Sequence, residues 1–442
     1  MKKDTKILLS LAALLAMTLL PKWSSAQDII REAQYEKTRF SLVTERIPYK
    51  RWIAYNDNSY VLYFSFGVFD TTGSYSSFIR TQQQFHVKDM TLVSNILYFC
   101  GYMLDSTTMT NVGIMGYFNI DDMPSPTINY VKFDTIAVLR KLEYYSANST
   151  KHVAMVGTGK DGRDYIADAY YYYGTFPPSY GTWGKAWTYM PNVDALFDDI
   201  SVLDTNVVVS ARIADSSVVN LCYITKTPSP REAFFESSNI QTKKLDCTPK
   251  GRVLLQKGNY DTVYAIYRSS DDLLLYQMKS TQKLTSRSIS YAPFIGPFQG
   301  TVTLLDVNTD QFGKNINVLV YYSWYSTSNY KIYHIPISHF TTGGTLNTHV
   351  YSSNNTLYSL GRGTNHTSLA AGENYLTGCW SLFKNQNTAS GSCASLVSTS
   401  SSVLISNNNN LQTKYHSMSY SGSLPSVMPV SSYSVTTSTI CH

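Results

Sequence analysis

Three pairs of adjacent acids, Asp121-Asp122, Asp198-Asp199 and Asp271-Asp272, are residues of this chain that could do chemistry, though the aromatic cluster from Tyr170 to Trp187 is the stronger functional hint. Clustered carboxylates hold calcium, and two separated carboxylates cleave a glycosidic bond as acid and base or nucleophile. Neighbours on a strand point to opposite faces, which argues against either pair member partnering the next residue in catalysis. The competing reading is that Asp caps turns and strand entries by accepting from backbone N–H groups, and Asp89 and Asp199 fit that role. Other signatures are missing. There is no Gly-x-Ser-x-Gly elbow, no His-Glu-x-x-His zinc helix, no phosphate-cradling Gly-x-x-x-x-Gly-Lys-Ser/Thr loop and no Ser-x-Asp-x-Gly-x-Thr-Trp turn of sialidase type. The eight histidines are scattered, and Thr158-Gly159-Lys160-Asp161-Gly162 reads as a hairpin turn. Neither a catalytic residue nor a metal or other cofactor is expected.

Aromatic side chains offer a different chemistry, flat surfaces on which sugars or peptide side chains stack. Tyr170-Tyr171-Tyr172-Tyr173 leads to Trp183-Gly184-Lys185-Ala186-Trp187, and Trp183 and Trp187 are expected to lie exposed in a Gly- and Pro-rich loop. Four tyrosines along a strand place two rings on each face. Tyr171, Tyr173, Trp183 and Trp187 are therefore candidate ligand-binding residues, with Trp324 in Tyr321-Tyr322-Ser323-Trp324-Tyr325 as a further candidate. The alternative is that these rings fill space between sheets.

What must position such residues is a recurring strand unit. One copy runs Asp89-Met90-Thr91-Leu92-Val93-Ser94-Asn95-Ile96-Leu97-Tyr98-Phe99-Cys100-Gly101, then a polar loop and Val112 to Phe118. Another runs from Asp199 through Asp204-Thr205-Asn206 to Arg212, followed by Val218 to Tyr223. Short apolar runs split by turn residues form hairpins, and repetition every ~40 to 60 residues is the spacing of propeller blades. With 36 Tyr and 18 Phe and few charged residues, the composition suits pleated, half-buried strands. The class is all-β, and the architecture is a β-propeller of seven blades, with six or eight as alternatives. A membrane barrel fits less well, because the runs are short and often continuously apolar rather than alternating over about ten residues. Residues 27–50 are expected to lead in, 51–394 to form the blades, and the Ser/Thr/Asn-rich tail 395–442 to return and close the propeller in part.

Lys2, Lys3 and Lys6 precede the apolar stretch Ile7 to Leu20 and the small residues Ser24-Ser25-Ala26, the pattern of a signal peptide spanning residues 1–26. The chain's +6 then falls to +3, since that segment carries Lys2, Lys3, Lys6 and Lys22 against Asp4. Such weak charge does not favour nucleic acid. No later apolar run is long enough for a transmembrane segment. Export permits disulfides among the six cysteines. Proximity suggests Cys379 with Cys393, Cys222 with Cys247, and Cys100 with Cys441, one of about 15 possible connectivities; the alternative is buried thiols.

The stretch from Asp89 to Gly101, with Gly116-Tyr117-Phe118-Asn119-Ile120-Asp121-Asp122, resembles a unit of exported propeller-like proteins of gut and oral Bacteroidetes, a group without an assigned activity. The resemblance covers this unit well and the Asp199 unit moderately. It implies a secreted or cell-envelope protein, in the periplasm, at the cell surface or outside the cell, and carries no site residues. It also draws attention to Asp-Ser/Thr patterns that such bacteria O-glycosylate, here at Thr71, Ser106, Thr135 and Thr262. The expected function is non-catalytic binding of a glycan or an envelope or host protein. The alternatives are a glycoside hydrolase or lyase with carboxylates at the central mouth, and a structural surface protein.

Overall fold

The computed structural model describes strands and connecting turns between residues 29 and 433. Residues 1–28 and 434–442 and many loops, among them 173–181, 227–234, 280–287, 293–300 and 387–393, lie outside the described residues, as do the side chains of several edge strands. The chain is an all-β propeller. Its described strands form seven antiparallel sheets, named here blades 1 to 7 in chain order.

Blade 1 holds Thr38–Arg46, Lys50–Asp57, Phe64–Asp70 and Ser76–Thr81, and blade 2 holds Phe85–Val93, Ile96–Asp105, Thr110–Asn119 and Ile128–Phe133. Blade 3 holds Ile136–Ala147, Thr150–Gly159, Asp164–Tyr172 and Thr182–Tyr189; blade 4 holds Ala195–Val202, Asn206–Ile213, Val218–Lys226 and Phe235–Asp246. Blade 5 is built on Val253–Lys257, Thr262–Ser269 and Asp272–Lys279, with Ser288–Ala292 alongside. Blade 6 holds Thr301–Thr309, Asn315–Trp324, Thr327–Pro336 and Gly344–Tyr351, and blade 7 holds Asn355–Arg362, Thr367–Asn374 and Cys379–Gln386. The first strand of each blade touches the first strands of its two neighbours, including blade 7 against blade 1, so these strands line the centre of a closed ring.

Both chain ends stitch the ring from outside. Ile29–Arg31 pairs with Cys379–Gln386 and supplies the outer strand of blade 7. The tail travels the other way. Ala394–Ser406 pairs first with Gly344–Tyr351 of blade 6 and then with Ser288–Ala292 of blade 5. Gln412–Lys414 adds to blade 4, Ser417–Ser423 to blade 3, Ser426–Met428 to blade 2, and Val430–Tyr433 to blade 1. The tail is thus a belt that covers successive outer edges, which would otherwise present unpaired N–H and C=O groups. The residues expected to lead into the fold, 27–50, already carry an outer strand and the innermost strand of blade 1.

The core consists of layers between blades, since each sheet buries both faces. Val207, Val208 and Val209 show why their run is continuously apolar: Val207 and Val209 pack toward blade 3, and Val208 packs toward blade 5. The same geometry corrects the expected Cys222–Cys247 bridge. Cys222 sits with Val207 and Val209 in one layer, Cys247 with Val219 and Leu245 in the other, so blade 4 itself separates them. Cys100 is a buried thiol among Met115, Val131 and Leu139 rather than half of a Cys100–Cys441 bridge, and burial, then the nearby Asp89, pushes its pKa well up. Cys441 and the side chains of Cys379 and Cys393 lie outside the described residues. No helix among the described residues is long and apolar enough to cross a membrane.

Candidate functional site

The innermost strands of blades 2, 3, 4, 6 and 7 each carry a bulge, and the extra residue is Lys88, Arg140, Asp198, Leu305 and Tyr358 respectively. A bulge re-aims a side chain, and all five of these line one cavity of about 750 Å³. Six blades contribute to its wall, which places it on the ring axis; Arg252, just before the innermost strand of blade 5, is the contribution of that blade. In blades 2, 3 and 7 the residue opposite the bulge is glycine, at Gly101, Gly157 and Gly372. A Cβ at these positions would overlap the carbonyl oxygens of His86, Val138 and Thr356, so the bulge requires glycine across from it.

Immediately after the bulges of the even-numbered blades stand Asp89, Asp199 and Asp306, and each reaches across to the following blade. The backbone N–H of Leu142 donates to Asp89 Oδ2 at 3.0 Å, that of Leu255 to Asp199 Oδ2 at 2.9 Å, and that of Leu360 to Asp306 Oδ2 at 2.7 Å. In Asp199 and Asp306 the other oxygen accepts from the next residue's N–H at 2.9 Å. These three acids stand mid-strand and clamp neighbouring blades together. That corrects the strand-entry role expected for Asp89 and Asp199. Asp198 turns elsewhere, taking Arg212 Nε at 3.1 Å on Oδ2 and Nη2 at 3.3 Å on Oδ1, so the two adjacent acids do serve separate partners. Asp121 supports a turn, its N–H donating to Asn119 Oδ1.

Lys141 follows the bulge of blade 3 and occupies the place that an Asp takes in the even blades. Its Nζ lies 3.8 Å from both Asp89 Oδ1 and Asp306 Oδ1. Burial works against its charge, yet Asp89, Asp306 and Asp199 outweigh that and raise its pKa. The carboxyls respond to the same enclosure: burial, opposed by Lys141, raises Asp89 and lifts Asp199 to about 6. Burial likewise raises Asp198 despite Arg212 and Arg252. Arg140 is bound on three sides, donating to Asp164, Thr158 and the carbonyl oxygen of Phe197. Arg252 has its nearest carboxylate, Asp198, at 4.0 Å. Ser359, 2% exposed, lines the cavity with an Oγ that has no hydrogen-bond partner among the described residues.

The aromatic candidates go to a different place. Trp183 and Trp187 lie on the strand Thr182–Tyr189, not in a loop. Trp183 is buried against Tyr117 and Tyr171, with ring centroids 5.4 and 5.3 Å away, and half-buried Trp187 meets Phe133 edge-on. Their expected exposure is corrected: Trp183, Trp187 and Tyr171 fill the layer between blades 2 and 3. Tyr173 and the side chain of Trp324 lie outside the described residues. Among the glycosylation candidates Ser106 and Thr135 are exposed in turns, but Thr262 is 2% exposed and closed to modification in the folded chain; Thr71 lies outside the described residues.

Two buried polar clusters were not foreseen. In blade 3, Asp168 accepts from Tyr145 at 3.2 Å and faces His152 Nδ1 at 2.9 Å; in blade 6, His334 contacts Asn317 at 2.7 Å and His349 at 2.6 Å. Hairpins bring these distant residues together, and neither cluster lines the cavity. Among the described residues, no group of three or more His, Cys, Asp or Glu is placed to hold a metal ion.

No protein-family model matches the chain, and no curated protein is significantly similar to it. Among solved structures it is similar to the β-propeller domain of the Trilobed protease from Pyrococcus furiosus, described as having an open velcro topology. The two are 8% identical, with a TM-score of 0.41, over 79% of this chain and 99% of that one.

Proposed function

We propose that this chain is an exported, non-catalytic binding protein that takes a glycan into the axial cavity. The observation that carries the reading is the delivery of five bulged residues, one from each of five blades, into one cavity of about 750 Å³. That volume is in the range of ligand sites, and an axial position lets many short strands each contribute one contact. The nearby carboxylates favour binding over hydrolysis because each already has work. Asp89, Asp199 and Asp306 accept backbone N–H groups of neighbouring blades, and Asp198 holds Arg212. Export rests on the basic, then apolar, then small-residue pattern of residues 1–26.

A glycan array, followed by calorimetry on the hits, tests the binding reading. Leu196 is an exposed residue at the cavity wall, so Leu196→Trp narrows the mouth without entering the core. Binding that Leu196→Trp abolishes is expected; a hit indifferent to it would place recognition elsewhere. Cell fractionation tests export, with cytoplasmic retention as the contrary result.

A further inference from the structure

The wall of the cavity is not uniform. Blades 3 to 5 present Arg140, Arg212 and Arg252, whereas blades 6 and 7 present Leu305, Tyr358 and Ser359. Arg140 is bound by Asp164, Thr158 and the carbonyl oxygen of Phe197, and Arg212 is paired with Asp198. Arg252 differs from both: about a third of its side chain is exposed, and its nearest carboxylate lies 4.0 Å away and is already shared with Arg212. Its forked donors are suited to a second, external carboxylate.

Two blades further round the ring, Ser359 supplies an independent sign of a ligand. Its hydroxyl is buried and has no partner among the described residues, one of nine such side-chain atoms there and the one that borders the cavity, where a ligand can fill it. Around it stand an aliphatic side chain and a tyrosine, a setting for a neutral sugar ring rather than a second charge. Asp306, the acid on this side, is committed to Leu360 and Val307.

We infer that the ligand of the axial cavity is an acidic oligosaccharide, bound with its carboxylate on Arg252 and a neutral sugar hydroxyl on Ser359. This deepens the glycan-binding reading above and rests on it. A charged donor from blade 5 and a neutral hydroxyl from blade 7 select a mixed saccharide over a uniform polyanion, which would bring charge against Leu305 and Tyr358. It also distinguishes the ligand from a wholly neutral glycan, which would leave Arg252 with only its 4.0 Å ion pair to Asp198.

The test uses the full secreted chain with paired probes: 3′-sialyllactose and a glucuronate-bearing trisaccharide, each beside its carboxyl-reduced counterpart, with hexaglutamate as a peptide control. An acidic saccharide is expected to bind, and to weaken about tenfold or more on carboxyl reduction and in Arg252→Gln. Ser359→Ala is expected to weaken binding about threefold to tenfold. The same variant should raise the melting temperature, because it removes a buried unpaired hydroxyl; a merely structural serine would lower both. Equal binding of acidic and reduced probes, blocked by Leu196→Trp yet unchanged in Arg252→Gln, overturns the acidic class while the binding reading stands. Binding of hexaglutamate alone overturns the saccharide. Failure of every array glycan and every probe to bind overturns both.

Discussion

The inner rim and the outer belt of this ring are both held by backbone hydrogen bonds, yet they recruit them in opposite ways. At the rim, single side chains do the joining: Asp89, Asp199 and Asp306 each capture one N–H of the next blade, and the bulges of blades 2, 3 and 7 demand glycine across the ladder. At the belt, whole strands join, and side-chain identity matters little because the ladder itself is the contact. The rim should therefore be brittle to single substitutions, and the belt tolerant of them except where a side chain enters the core.

Gly101→Ala is expected to be the most damaging single change, at about 3 kcal/mol or more, since the new methyl group overlaps a carbonyl that the bulge holds in place. Urea denaturation measures it; a loss comparable to a surface substitution would show that the bulge can move. Asp199→Ala should cost about 2 kcal/mol by leaving the N–H groups of Leu255 and Ile200 without their acceptor. Within the belt, Met428 packs with Phe66 and Ile79, so Met428→Ala should also cost about 2 kcal/mol. Its neighbour Val427 is 60% exposed, and Val427→Ser should change stability by less than about 0.5 kcal/mol. Equal effects at 427 and 428 would erase the distinction between ladder and anchor.

Acidity sharpens the contrast further. Asp199 faces Lys141 and Asp89 and carries a folded pKa of about 6, above its ordinary 3.8. A carboxyl whose folded pKa is raised adds stability that is complete below the unfolded value and disappears as pH rises through the folded one. The contribution of Asp199 should therefore fall between pH 3.8 and about 6. Comparing the chain with Asp199→Asn across that window should show the slope reduced in the variant. An unchanged slope would assign the effect to other groups.

Much of the inner architecture was legible in the sequence because it depends on side chains. Asp89 and Asp199 marked the repeat, and the apolar runs marked strands buried on both faces. Their role was not legible, since a bulge shows only in the register with the next strand, and the donating N–H belongs to a blade tens of residues away. Trp183 and Trp187 misled for a related reason: Gly and Pro nearby signalled a loop, but the tryptophans themselves belong to an outer strand packed between blades. The belt hid behind its Ser, Thr and Asn content, because an added outer strand needs backbone donors and acceptors more than apolar side chains. The charged cavity was invisible along the chain, as Lys88, Arg140, Arg212 and Arg252 come from four different blades.

The crossing of the two chain ends has a kinetic consequence. Ile30 pairs with Leu382, and Ser431 pairs with Arg80, so each seam joins residues about 350 positions apart. Contacts that distant form slowly, because most of the loop entropy is lost before any bond rewards it. Blade 7 must exist before the strand Ile29–Arg31 can dock, and the belt's last strand, Val430–Tyr433, follows every blade in the chain. Closure is thus a late event, and until it occurs the nascent ring exposes strand edges open to neighbouring molecules, which makes the assembly interval the time of greatest risk for aggregation.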